Sequence, residues 1–141
     1  MIDPWMHFAN DTYLDGNNLA GQLESDRRFR SVVNSVGIYS TTGVSRAAII
    51  RLQSQEAALL VDDESIDFCF IDAQHDYFSV MNDVIAWWPK VRIGGILAGH
   101  DYNYLHYGCV YAVDEFARKM NLEIHVTEDY SWYIFKTHGR Q

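Results

Sequence analysis

The strongest strand signal in the chain is the continuous apolar run Ile66 to Ile71 (IDFCFI), which the turn-forming DDES precedes and Asp72 ends. Beyond it the period changes. Ser79 to Trp88 places Val80, Val84, Ile85 and Trp88 on one helical face, and Pro89 stops the helix. Gly94 and Gly95 introduce a second strand, ILAG, which runs into the polar pair His100 and Asp101. After a loop rich in Tyr and His, the residues Val110, Val113, Phe116, Ala117 and Met120 mark another helix. The last segment, NLEIHVTEDYSWYIFK, alternates about a Glu-Asp turn and predicts a hairpin. Ahead of Ile66, Phe29, Val32, Val33 and Val36 recur at helical spacing from Asp26 to about Val36, with Ser25 or Asp26 as a cap and Gly37 as a stop. Residues 1–25 read mostly as loop. Ala47 to Leu52 (AAIIRL) predicts a short strand, and Ser54 caps the following QEAALLV helix.

Helices between successive strands imply parallel crossovers. The expected fold is therefore α/β: a mostly parallel sheet with a C-terminal antiparallel hairpin at one edge, in a single domain over residues 1–141. No internal repeat or low-complexity tract interrupts it.

Composition narrows the partners. With 48% hydrophobic residues in 141, the chain can bury a core, so a disordered or fibrous protein is excluded. A net charge of −8 repels phosphate, which argues against nucleic acid and anionic membrane and for a small-molecule substrate. Cys69 and Cys109 lack metal-type spacing and read as packed thiols, which fits a cytoplasmic protein. No run approaches the roughly 18 apolar residues of a membrane span.

In an open α/β sheet, ligands collect beyond the carboxyl ends of the strands. Asp72 and His100/Asp101 stand at two such ends. If the strands are neighbours, the three side chains share a crevice, where two carboxylates and an imidazole suit a divalent cation such as Mg²⁺. Alternatively His75 or His100 serves as a base near neutral pH. Each residue also has a structural reading, because aspartates cap helices and histidines bond carbonyls. Tyr102, Tyr104, His106 and Tyr107 suit an aromatic lid or a loop that merely packs; Trp87 and Trp88 read as core and rim, and Asp62–Glu64 as an exposed turn.

The segment from Ser65 to Phe116, with IDAQHDY, the Trp-Trp-Pro stop, GGILAGHDY and GCVYAVDEF, resembles class I S-adenosylmethionine-dependent methyltransferases, particularly those acting on small molecules. MIDPW is similar to the end of that family's second strand, and RLQSQEAA to its third strand and turn. The resemblance implies a Rossmann-like methyltransferase sheet. It implies that Asp3 holds the cofactor's ribose, that Gln53, Ser54 and Glu56 flank its adenine, and that Asp72 stands where methyl donor and acceptor meet. In related metal-dependent O-methyltransferases, acids at the fourth and fifth strand ends bind Mg²⁺; the matching residues are Asp72, His100 and Asp101. The catalytic candidates are Asp72, His75 and His100.

The family's first strand and glycine-rich loop have no counterpart before MIDPW, so the expected sheet is truncated at its N-terminal side. Either the third strand closes against the fourth, or another chain shields the edge, for which a homo-oligomer is the expectation. The leading reading is methyl transfer to an oxygen of a small molecule. Its rivals are a non-catalytic oligomeric binding module or truncated remnant, and a metal site for other chemistry such as hydrolysis.

Overall fold

A computed structural model describes residues 1–5, 18–40 and 47–137. The expectation for residues 6–17 lies outside these. The chain divides into two compact units, Met1–Ala57 and Ala58–Gln141.

In the first unit, helix α1 runs Asn18–Ser40. It starts before Ser25 and Asp26, which are interior residues, and continues through Gly37, so neither the cap nor the stop holds. The apolar residues that set the expected boundaries do not form a buried stripe: Val33 is exposed. Local side-chain pairs carry the early turns instead. Glu24 meets Arg27 at 2.7 Å and Arg28 at 3.0 Å, and Gln22 Nε2 donates to Asp26 Oδ1 at 3.1 Å. Each such pair contributes only a few tenths of a kcal/mol, a signal that hydrophobic periodicity does not register.

The strand expected over 47–52 contracts to one parallel bridge between Ile2 and Ile50, with Asp3 N–H donating to Ile50 O and Ile50 N–H to Met1 O. Arg51 is drawn sideways: its guanidinium donates to Trp5 O and pairs with Asp26 at 2.6 Å, and it lies 4.8 Å from the Phe29 ring centroid. Trp5, buried, packs on Phe29. Helix α2, Ser54–Ala58, follows, and the Gln53 N–H donates to Glu56. The capping contact thus falls at Gln53, one residue ahead of the expected Ser54.

The second unit holds strand β1 (Ile66–Ile71), helix α3 (Tyr77–Trp87), strand β2 (Val91–Gly99), helix α4 (Tyr107–Met120) and the hairpin β3 (His125–Val126) and β4 (Trp132–Phe135). The sheet order is β1-β2-β4-β3. β1 runs parallel to β2, β4 antiparallel to β2, and β3 antiparallel to β4. The mixed sheet with its C-terminal hairpin is as the pattern predicts. β2 is flanked on both sides, which explains why Val91, Leu97 and Ala98 are buried. Helices α3 and α4 pack together through Val80, Val84 and Trp87 on one and Ala112, Val113, Phe116 and Ala117 on the other.

Three local expectations change here. Ile85 is 55% exposed, and Trp87 takes its place on the buried face; Met120 is exposed too. Gly94 and Gly95 lie inside β2. Gly94, at φ +78, sits where the β1–β2 register shifts, from Ile66↔Val91 to Phe68↔Ile96, so it is a bulge within the strand. The carbonyls near the end of α3 are satisfied by Lys136, whose ammonium donates to Trp88 O, Pro89 O and Val91 O.

β1 is one of the two outer strands of this sheet, and on it Phe68 and Phe70 are exposed, with ring centroids 6.2 Å apart. Among the described residues no helix is long and apolar enough to cross a membrane.

The ends of β1 and β2 approach closely at Gly99. A Cβ there would stand 2.6 Å from Ile71 O and 2.6 Å from the Trp132 ring. Gly99→Ala is therefore expected to cost about 2 kcal/mol, lowering the melting temperature by roughly 5–10 °C; an unchanged thermal melt would contradict this packing.

Candidate active site

The register that pairs Ile71 with Gly99 brings the next residues of both strands to one place. His100 N–H donates to Ile71 O at 3.1 Å, so Asp72 and the His100–Asp101 pair leave the sheet side by side. Asp101 then turns with φ 64, a left-handed conformation that aspartate tolerates better than most residues. Its carboxylate becomes the hub of the site. Oδ2 lies 2.7 Å from His75 Nε2, and Oδ1 lies 3.3 Å from His100 Nδ1 and 3.5 Å from His106 Nε2. The Asp101 side chain is 16% exposed, against 38%, 37% and 27% for His75, His100 and His106.

Two loops deliver the outer histidines. After β1, Asp76 caps α3 by accepting from the Phe78 and Ser79 N–H groups, and Ser79 Oγ donates to Gln74. Before α4, Asn103 Oδ1 accepts from Leu105 N–H and Asn103 O from His106 N–H. His106 occupies the cap position of α4 but makes no side-chain cap bond. Gly108 lets the loops meet: a Cβ there would stand 2.5 Å from His75 O and 2.6 Å from Tyr77 N. The His75 and His106 ring centroids are consequently 4.3 Å apart.

Under this hub is a cavity of about 10 Å³, lined by Asp72, His75, His100, Asp101, Cys109 and Trp132, about enough for one water or ion. Two donor sets are within cation-binding reach: Asp72, His100 and Asp101, and His75, Asp101 and His106. Burial works against the charge on His100, but the Asp101 carboxylate, a backbone carbonyl at Asp129 and Asp72 outweigh it and hold its imidazole above the usual value. Burial, with Asp101 nearby, pushes the Cys109 thiol up to about 11, so this sulfur, bonded to His100 O, is a packed group and not a nucleophile. Cys69 is likewise pushed up to about 12, and both cysteines are free thiols.

The strand-end candidates Asp72, His75, His100 and Asp101 are therefore brought together. Asp3, Gln53 and Ser54 belong to the first unit, where the Ile2–Ile50 bridge sets Asp3 beside the segment leading to Gln53. Asp3 Oδ1 accepts from Trp5 N–H at 2.5 Å. Of the residues that suit an aromatic lid or a packing loop, Tyr102 donates to Asp114 at 2.6 Å, with burial and that carboxylate pushing its hydroxyl up to about 12, while Tyr107 stacks on Tyr111. His106 leaves that group and joins the site. The only trace of this in the sequence is a third histidine a few residues past His100. A larger groove of about 770 Å³ runs along α4, lined by Tyr77, Tyr111, Glu115 and Arg118 among others, and holds none of the strand-end residues.

The sequence family described as "Methyltransferase domain" matches residues 1–102. The chain belongs to this family. No curated protein matches it. Among solved structures, the methyltransferase domain is similar to the O-methyltransferase NovP, with TM-score 0.54 and 18% identity over 97% of this chain and 59% of that one. It is similar to an S-adenosylmethionine-dependent O-methyltransferase from Thermotoga maritima, with TM-score 0.56 and 12% identity over 99% and 60%. An rRNA methylase from Streptococcus thermophilus matches at TM-score 0.51 and 13% identity over 97% and 86%. At these identities the likeness is one of fold: a Rossmann-like methyltransferase sheet. The chain spans about 60% of the length of the two O-methyltransferases.

The Asp76 cap that fixes the His75 loop yields a prediction. Hydrogen bonds from Ser79 and Phe78 hold its carboxyl below the ordinary 3.8. A lowered folded pKa means stability that is present above 3.8 and lost as the pH falls through the folded value. Asp76→Ala should therefore cost about 1 kcal/mol at pH 7, and the difference should close under acid; a pH-independent difference in denaturant midpoint would contradict the cap.

Proposed function

We propose that the chain supports S-adenosylmethionine-dependent methyl transfer to an oxygen of a small molecule. The observation that carries the reading is the convergence of Asp72, His75, His100 and Asp101 at the carboxyl ends of two adjacent parallel strands, in a chain of the methyltransferase family. A net charge of −8 favours a small acceptor over a nucleic acid, and the two free thiols suit the cytoplasm.

In this reading Asp3 accepts hydrogen bonds from the ribose hydroxyls, and Gln53 and Ser54 flank the adenine. Asp72 stands between the methyl donor and the acceptor. When bound, S-adenosylmethionine would supply an electrophilic methyl group, whose bond to sulfur would break, leaving the electron pair on sulfur, as the acceptor oxygen bonds to carbon. The acceptor proton would pass to an imidazole, His100 or His75, each of which lies against the Asp101 carboxylate. Most of the rate comes from alignment of the two reactants. The Asp72, His100 and Asp101 donors lie close enough together to hold a divalent cation, which when bound would lower the proton affinity of the acceptor hydroxyl.

Calorimetry with S-adenosylmethionine and S-adenosylhomocysteine, each with and without Mg²⁺, tests the reading. Binding in the micromolar range is expected, about −8 kcal/mol. Asp3→Ala should weaken it about tenfold through the lost ribose bonds. No heat together with an unchanged melting temperature at high ligand concentration would contradict the proposal.

A further inference from the structure

The second donor set leads beyond this reading. We propose that His75, Asp101 and His106 form a cation site of their own, selective for a borderline transition ion such as Co²⁺ or Zn²⁺ over Mg²⁺, with open positions for oxygen ligands.

The two donor sets differ in donor type. Mg²⁺ prefers carboxylates, carbonyls and water, whereas imidazole suits Zn²⁺, Ni²⁺, Co²⁺ and Fe²⁺. Asp72, His100 and Asp101 present one nitrogen and two carboxylates; His75, Asp101 and His106 present two nitrogens and one carboxylate, the composition of facial sites that keep open coordination positions. Geometry agrees. Asp101 Oδ2 is 2.7 Å from His75 Nε2, and Oδ1 is 3.5 Å from His106 Nε2. Ligands held at roughly 2.0–2.1 Å from one ion stand roughly 3.0–3.4 Å apart, between those two separations, so small rotations suffice.

The backbone preorganises these donors with features that packing alone does not require. Asp101 adopts the left-handed conformation at φ 64 that turns its carboxylate toward both rings. Gly108 permits the close approach of α4 to the His75 loop. His106 stands at the start of α4 without using its ring as a cap, leaving that ring to face Asp101. Each histidine is about a third exposed, so an ion held there meets solvent or a substrate oxygen, as catalytic sites do and closed structural sites do not. Because Asp101 belongs to both sets, the two compete for one carboxylate, and the imidazole-rich set wins for an ion that favours nitrogen. His100 then remains to take the acceptor proton.

The test uses the chelator-treated 141-residue chain and needs no methyl donor. Co²⁺ is titrated while its visible absorption is followed, with and without millimolar Mg²⁺. Saturation at one Co²⁺ per chain is expected, with Mg²⁺ failing to displace it. His75→Gln and His106→Gln should each weaken binding at least about tenfold, the low end of what even an outer-shell loss costs. Asp72→Asn and His100→Gln should change it by less than about twofold. Melting temperatures of the metal-free variants separate loss of a ligand from loss of fold, with His75→Asn and His106→Asn replacing any variant that melts early. No cobalt spectrum, displacement by Mg²⁺, or equal damage from Asp72→Asn and His106→Gln would each overturn the site. A cobalt spectrum in a chain that binds no S-adenosylmethionine would instead contradict the methyl-transfer reading and leave this one standing.

Discussion

The parallel pairing that ends with Ile71 opposite Gly99 is the constraint on which the site depends. It is close because Gly99 carries no side chain, and the single bond from His100 N–H to Ile71 O extends it one residue past the strand. From that bond follow the adjacency of Asp72 and His100, the left-handed turn at Asp101, and the placement of a carboxylate against three imidazoles. The Trp132 ring closes the same spot from β4, so the antiparallel hairpin supports the site from below. Sheet and chemistry are thus one structure: loosening the strand ends would scatter the donors.

A carboxylate shared by three histidines is an unusual electrostatic arrangement. Asp101 is the least exposed member and, among the described residues, the anion that pairs with all three rings. That negative charge helps to raise the proton affinity of His100 against the effect of its burial. The same charge attracts a metal ion. The proposed general base and the proposed cation site are therefore two uses of one field.

Much of this was legible in the sequence, for identifiable reasons. β1 could be read because a short β-branched and aromatic run bounded by turns has few other solutions, and its terminal Asp72 followed. The hairpin could be read from its alternation. The faces of α3 and α4 were legible in large part, with Trp87 taking the position given to Ile85 and Met120 left exposed, since neighbouring apolar side chains compete for the same face. The start of α1 was not legible because charge pairs, not an apolar stripe, carry its first turns. The strand at 47–52 shrank to one bridge because Arg51 finds stronger partners in Trp5 and Asp26. The two glycines of β2 read as a strand start but form a bulge. His106 was invisible as a site residue because its placement depends on Gly108 and on the turn at Asp101, neither of which leaves a periodic trace.

The Asp101 carboxylate ties His75, His100 and His106 together at the strand ends. The most direct measurement is the nitrogen-15 NMR spectrum of the histidine rings during titration with S-adenosylhomocysteine. The account predicts that the resonances of these three rings move together along one binding curve, while that of His125, stacked on Tyr133 in the hairpin, stays in place. Saturation with no movement of the three, or movement of His125 in step with them, would contradict it.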